Sequence, residues 1–365
     1  MAGRSTLRGP RLARRHVLGG LALAGLAGLP ACKRERQQLS LAIWRDYLGE
    51  TTLEDFRRAS GITVDVTHYA SNAELYALLA KGNSGFDLVV PSSMWVERMT
   101  RDQLLAPIDH ARLPNLANLE QPFANLPYDP GNRHSVPYTW LAMGIGYRRS
   151  KLPSPPRSWK ELLGGAAPAA RIALPADPAL LFRLAAKALG FSANLFNPHR
   201  LTQAEQLLSG IIPKIHTLDG GDGQDLLLNG EVDLAAVWNG DLVQVALEDP
   251  DIGFLLPREG ALLSCDCLCI PAGAERPINA HALIDFLLSA EGGAGVAGRV
   301  WFPTPNRAAR AMLPPDYGSN PILFPPDRPA GISEFIGDNP ALDTQFATAM
   351  KRIAPNPGTA PDMSS

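Results

Sequence analysis

The sequence predicts an α/β chain of two lobes with a cleft between them, and three observations predict it. A β-α-β-α-β alternation fills residues 39–90, a second alternation fills residues 171–256, and 365 residues exceed what one compact core ordinarily holds. Leu39–Ile43 is a short apolar run and reads as a strand. Thr51-x-x-Glu54 reads as a capping box opening a helix that runs to Ser60 and stops at Gly61. Ile62–Val66 alternates and is rich in β-branched residues, hence a second strand. Ser71-x-x-Glu74 caps a helix from Ala73 to Lys81 that Gly82 closes, and Phe86–Val90 is a third strand ended by Pro91. That order implies a parallel sheet with right-handed crossovers.

Residues 106–137 are rich in Pro and Asn and carry no clear period, so they are expected to wrap the surface. Met143–Tyr147 reads as a strand and Pro153–Pro156 as a linker. The second array follows as strand Arg171–Leu174, helix Ala179–Leu189 stopped by Gly190, helix Thr202–Ser209, short helix Gln224–Leu228 and strand Val232–Val237. Ile252–Leu256 and Leu262–Ile270 read as strands, and Ala280–Leu288 and Gly292–Gly298 as helices. The proline-heavy tail carries one more helix near Asp343–Ile353.

The N-terminus reads as an export signal. Arg4, Arg8, Arg11, Arg14 and Arg15 precede an apolar stretch, Val17 to Ala31, too short for a stop-transfer helix. Arg14-Arg15 resembles a twin-arginine signal, with general secretion as the alternative. Leu29-Pro30-Ala31-Cys32 resembles a lipobox, which would make Cys32 the diacylated first residue of a periplasmic chain anchored to a membrane, with an ordinary free thiol after a simple cleavage site as the alternative. Residues 33–38 then read as the tether. Removing residues 1–31 takes away five arginines and no acid, moving the formal net charge from −2 to −7. An acidic surface argues against nucleic acid and favours a cationic guest.

Nothing in the chain reads as catalytic. It has no G-x-S-x-G, H-E-x-x-H, P-loop or G-x-G-x-x-G, and its seven histidines are scattered with no i,i+4 pair. Asp219-Gly220-Gly221-Asp222-Gly223 has the glycines of a phosphate loop, but its carboxylates would repel phosphate. Cys265, Cys267 and Cys269 alternate along one strand and so share a face; they read as small buried residues rather than a metal site. No metal and no cofactor is expected.

Aromatic and acidic residues recur just after strands. Trp44-Arg45-Asp46-Tyr47 follows the first strand, Asp177 follows Arg171–Leu174, and Trp238-Asn239-Gly240-Asp241 follows Val232–Val237. Asp266 sits on the opposite strand face from the three thiols. The carboxyl ends of strands are where open α/β sheets bind ligands. Rings pack against methylenes and attract ammonium groups, and carboxylates accept charge-assisted hydrogen bonds. The mixture therefore suits a polyamine. Each residue alone has a plainer reading: a Trp after a strand packs the core, and Asp177-Pro178 is a good N-cap followed by N1.

These segments resemble the periplasmic spermidine/putrescine-binding proteins of polyamine ABC transporters. The likeness spans residues 39–315 and is carried, in the family's order, by Trp44–Tyr47, Ser71-Asn72 with Leu75-Tyr76, and Asp87-Leu88-Val89-Val90-Pro91-Ser92. It continues through Asp129–Asn132, Ser135–Tyr138, Gly230–Asp233, Val237–Gly240 and Phe302–Asn306. The resemblance implies a type II periplasmic-binding-protein fold with crossover hinge strands. Lobe 1 would hold residues 39–143 and 264–318, lobe 2 residues 144–263, and the tail residues 319–365. It implies Trp44, Tyr47, Trp238 and Phe302 as walls and Asp46, Asp177 and Asp266 as amine acceptors. Ser92 becomes a polar contact, and Asp241 matches the acid of putrescine-type members. It also implies a monomer that hands a polyamine to an inner-membrane permease. A sensor lipoprotein of the same fold is the alternative. Five positions depart from the family: Arg45 for a small hydroxyl residue, Leu180 for a Glu, Met94 and Ser264 for aromatics, and Leu141 for a Gly. With one carboxylate fewer and one arginine more, a diamine or a zwitterionic amine stays open beside spermidine.

Overall fold

The computed structural model describes residues 37–152, 154–164, 169–325 and 332–354. The export segment 1–31, Cys32, most of the tether, Pro153 and the end of the tail lie outside the described residues. Among the described residues no helix is long and apolar enough to cross a membrane.

The first array folds as expected. Strand β1 (Gln38–Ile43), helix α1 (Thr52–Ser60), strand β2 (Thr63–His68), helix α2 (Asn72–Ala80) and strand β3 (Leu88–Val89) form a parallel three-stranded sheet of order β2-β1-β3. Leu39, Leu41 and Ile43 of β1 enter one apolar core and Ala42 enters another. Burial on both faces is what an unbroken apolar run at the centre of a parallel sheet requires. Gly61 takes the left-handed conformation that ends α1. The capping box at Thr51 does not form, because Thr51 makes no side-chain cap and Glu54 pairs instead with Arg57 at 3.0 Å. At α2 Ser71 Oγ does accept from Glu74 N, and Glu74 Oε2 accepts from Ala70 N at 2.8 Å. Helix α3 (Ser93–Arg101), not foreseen, follows β3 directly.

Residues 106–135 run through short 3₁₀ turns, and they also bury Leu113, Leu119, Phe123, Leu126 and Tyr128. They lead into strand β4 (Val136–Arg148), 13 residues long where five were expected. Helix α4 (Trp159–Leu163), strand β5 (Ile172–Pro175), helix α5 (Pro178–Ala188), helix α6 (Pro198–Ile211), strand β6 (Thr217–Asp219) and helix α7 (Gly223–Leu228) come next. Strand β7 (Leu234–Trp238), helix α8 (Asn239–Glu248), strand β8 (Ile252–Leu255) and strand β9 (Leu262–Leu268) complete the second array. Helices α9 (Pro277–Leu288), α10 (Ala290–Val300), α11 (Arg307–Met312) and α12 (Pro315–Ser319) precede strand β10 (Glu334–Phe335) and helix α13 (Pro340–Ile353).

The second sheet has the order β10-β9-β4-β7-β5-β6, with β8 also on β4. Strands β4 and β9 run antiparallel from Val136–Leu268 to Met143–Leu262, so they span the molecule between the two arrays. Beyond β9, Cys269 bridges back to Val89 beside the first sheet. Cys265, Cys267 and Cys269 are fully buried in apolar surroundings, and burial pushes all three thiols up from their ordinary value.

Candidate functional site

Strand ends and helix starts of both arrays meet around a cavity of about 620 Å³. The β1 end supplies its first wall. Trp44 Nε1 donates to Val90 O at 2.9 Å, and the Tyr69 hydroxyl donates to the same oxygen. The two rings meet edge to face at 4.6 Å. Asp46 then takes a left-handed backbone, φ 60°, which short polar residues tolerate best. The turn carries Trp44, Arg45 and Tyr47 to the cavity, while Asp46 is exposed and is not among its lining residues. Tyr47 is held by Tyr138, whose hydroxyl donates to Tyr47 O at 2.7 Å, and by the Phe302 ring at 5.3 Å.

The floor comes from β9 and α3. Asp266 pairs across the strands with Thr139 and is 4% exposed. Its Oδ2 accepts from the Tyr47 hydroxyl at 2.8 Å and from Thr139 Oγ1 at 3.4 Å. Ser92, before α3, is fixed by Asn72: Ser92 N donates to Asn72 Oδ1 at 3.0 Å, and Asn72 Nδ2 donates to Ser92 Oγ. The second wall is the β7–α8 junction. Trp238 pairs with Met143, and buried Asn239 accepts from Ala142 N at 2.9 Å while donating to Ile322 O at 3.2 Å. Gly240 permits the close approach of α8, since a Cβ there would fall 2.5 Å from Leu141 Cδ2. Asp241, in the first turn of α8, is thereby fixed at the cavity.

The electrostatics are one-sided. Burial pushes the Asp241 carboxyl up to about 7, helped by repulsion from Asp266 and Asp225. Asp241 keeps part of its surface open to the cavity, so the push comes from the protein packed around the rest of it. Burial pushes Asp266 up to about 6 against the lowering effect of the Tyr47 and Thr139 hydrogen bonds. The Tyr47 hydroxyl is raised well above its usual value by burial, then by both carboxylates. Among the described residues no Lys, Arg or His is paired with Asp241 or Asp266. Nor do these residues place three His, Cys, Asp or Glu side chains to hold a metal ion.

Six of the nine residues singled out from sequence line this cavity: Trp44, Tyr47, Ser92, Trp238, Asp241 and Asp266. Asp46, Asp177 and Phe302 do not. Asp177 is exposed and caps α5, its Oδ1 accepting from Ala179 N at 2.8 Å. Phe302 is buried behind Tyr47 and supports that ring. Of the four residues whose convergence the sequence reading required, Trp238 and Asp266 converge and Asp46 and Asp177 stay outside. Arg45, Leu141 and Ser264, three of the departures from the family pattern, line the cavity. Sequence reading missed His68, Tyr69, Ala70 and Glu74. The first three sit at the carboxyl end of β2, which runs two residues further than its alternation implied.

Residues 51–325 match the family described as bacterial extracellular solute-binding protein. The chain is 32% identical to the spermidine/putrescine-binding periplasmic protein of Salmonella typhimurium, across 92% of this chain and 98% of that one. Against the protein of that description from Escherichia coli the identity is 33%, across 85% and 89%. The fold matches the spermidine/putrescine transporter substrate-binding protein of Streptococcus pneumoniae with a TM-score of 0.81 at 24% identity, across 87% and 98%. It matches a lipoprotein of Treponema pallidum with a TM-score of 0.75 at 26% identity, across 87% and 99%. With its two-lobe type II architecture and its match over most of its length, the chain belongs to the bacterial extracellular solute-binding protein family.

Proposed function

We propose that the chain captures a polyamine-like cation in the periplasm and presents it to an ABC permease for import. The observation that carries this is the pair Asp241 and Asp266, two carboxylates with raised affinity for protons, no paired cation among the described residues, and the rings of Trp44, Tyr47 and Trp238 around them. Ionising such a pair without a partner is costly, and an ammonium group entering the cavity removes that cost. The aromatic faces hold the methylenes and add cation–π attraction. The similar proteins named for spermidine and putrescine support the same reading.

Capture is a population shift in which the guest stabilises a closed form by touching both arrays. The proposed lobe boundaries near residues 143 and 264 fall in β4 and β9, so these strands are the proposed hinge. Cys32 is the proposed lipid anchor that keeps the protein, as a monomer, beside the membrane. Titration with putrescine and with spermidine, read by tryptophan fluorescence, tests the function. A saturable change is expected, weakened by Asp266→Ala and by Trp238→Ala. The absence of any saturable response to either amine overturns it.

A further inference from the structure

Arg45 is the cavity residue that capture of a simple polyamine leaves without a task. It follows β1 directly, its side chain is exposed to the cavity, and no carboxylate among the described residues pairs with it, the adjacent Asp46 included. Among the described residues it forms no ion pair with Asp241 or Asp266 either, though all three line the cavity. Asp241 is repelled by Asp266 and Asp225, and Asp266 accepts from Tyr47 and Thr139. His68 shares its side of the cavity, with Nδ1 committed to Ile43 O at 3.2 Å and the far ring nitrogen left for a guest. Glu74, the nearby acid of that side, is committed to the N-terminus of α2 through Ala70 N at 2.8 Å. The cavity lining thus carries Asp241 and Asp266 from α8 and β9, and Arg45 and His68 from the β1 and β2 termini with Glu74 beside them.

We propose that Arg45 is a specificity-determining residue, and that the preferred guest is an ω-amino acid, with its ammonium at Asp241 and Asp266 and its carboxylate on the Arg45 guanidinium. The proposal rests on the reading of Asp241 and Asp266 as ammonium acceptors. A guanidinium presents a planar fork that fits a carboxylate with two parallel hydrogen bonds. The same group repels a second ammonium, so it selects by attraction and by exclusion together. A diamine of equal length satisfies the two carboxylates and meets a like charge at Arg45.

Calorimetric titration with chain-matched pairs tests this: 4-aminobutyrate against putrescine, and 6-aminohexanoate against 1,6-diaminohexane. The wild-type protein is expected to favour the amino acid of at least one pair by about tenfold or more. Arg45→Gln should erase that preference by raising diamine affinity and lowering amino acid affinity, and Arg45→Lys should retain part of it by keeping the charge without the fork. Asp266→Asn should weaken both members of each pair, which an effect confined to Arg45 would not do. Equal or tighter binding of the diamines by wild type, or a ratio unchanged in Arg45→Gln, overturns the proposal while leaving amine capture standing. Failure of all four compounds and of spermidine to bind overturns both. Because Arg45 is exposed, unaltered thermal unfolding of Arg45→Gln is expected and serves as the fold control.

Discussion

Two sets of carboxylates packed into this chain differ in the presence of a cation. The side chain of Asp338 is fully buried, as Asp266 nearly is, but Arg98 Nε donates to its Oδ1 at 2.8 Å. Arg101 approaches its Oδ2 at 2.6 Å, off the hydrogen-bond axis, and Asp338 N donates to Glu97 Oε2 at 2.9 Å. The same segment reaches α5, where buried Arg183 donates to Gly337 O at 3.3 Å and to Asp343 Oδ1 at 3.2 Å. The C-terminal segment therefore stitches α3 to α5 with charges the protein supplies itself. Asp266 has only the hydroxyl donors Tyr47 and Thr139, and Asp241 is repelled by Asp266 and Asp225. A carboxylate matched inside the chain serves the fold, whereas an unmatched one at a cavity is held ready for a cation from outside.

Exchanging each type for its amide separates the two roles most sharply. Asp266→Asn should lower amine affinity on the order of 100-fold, about 3 kcal/mol, because the ammonium loses its buried counter-charge. Its thermal midpoint should hold or rise, since an unmatched buried charge has been removed. Asp338→Asn should do the reverse. It leaves the partly buried Arg98 without its acid, costs about 2–3 kcal/mol of stability in denaturant unfolding, and leaves affinity within about threefold of wild type. Equal loss of affinity in both variants would dissolve the distinction.

The second test is pH. Asp241 near 7 and Asp266 near 6 lie above the usual carboxylate value, so the folded chain without ligand holds more protons than the unfolded chain between about pH 4 and 7. Their contribution to stability is present in the acidic part of that window and lost as pH rises through the two folded values. Affinity runs the other way, because an ammonium guest needs the ionised pair. Binding should tighten from about pH 5.5 to about pH 8, by up to roughly tenfold per unit for each carboxylate that ionises, with protons released on binding. The ligand-induced rise in melting temperature should grow over the same range. A flat profile would mean that neither group meets the amine.

The legibility of these regions follows the same division between local and distant causes. The first array could be read because Gly61 and Gly82 stop its helices and β-branched alternation marks β2, all within a few residues. Strand β4 was cut short because it is buried along nearly its whole length, and Pro137, Gly144 and Gly146 break any alternation. Helix α8 was missed because it leaves β7 without a side-chain cap. Trp238 and Asp266 were readable from their places on strands. Asp177 was not separable from a ligand acceptor, since an N-cap and a cleft carboxylate both follow strands, and the structure gives it the cap. Asp46 depended on a left-handed turn and Tyr69 on a strand running two residues further, neither of which adjacent sequence announces.

Smaller changes in the cavity sharpen the comparison from the apolar side. Trp238→Ala removes a ring but no charge, so it should weaken amine binding by about tenfold, 1–2 kcal/mol, at every pH. Tyr47→Phe is finer. The Tyr47 hydroxyl donates to Asp266 and favours its ionised form, so its loss should raise the Asp266 value further and move the binding midpoint toward alkaline pH by roughly half a unit. At about pH 8, with the carboxylate ionised in either protein, the two affinities should differ by less than about threefold. Calorimetry across that range distinguishes this from a packing defect, because loss of the Phe302 contact would lower affinity equally at all pH values.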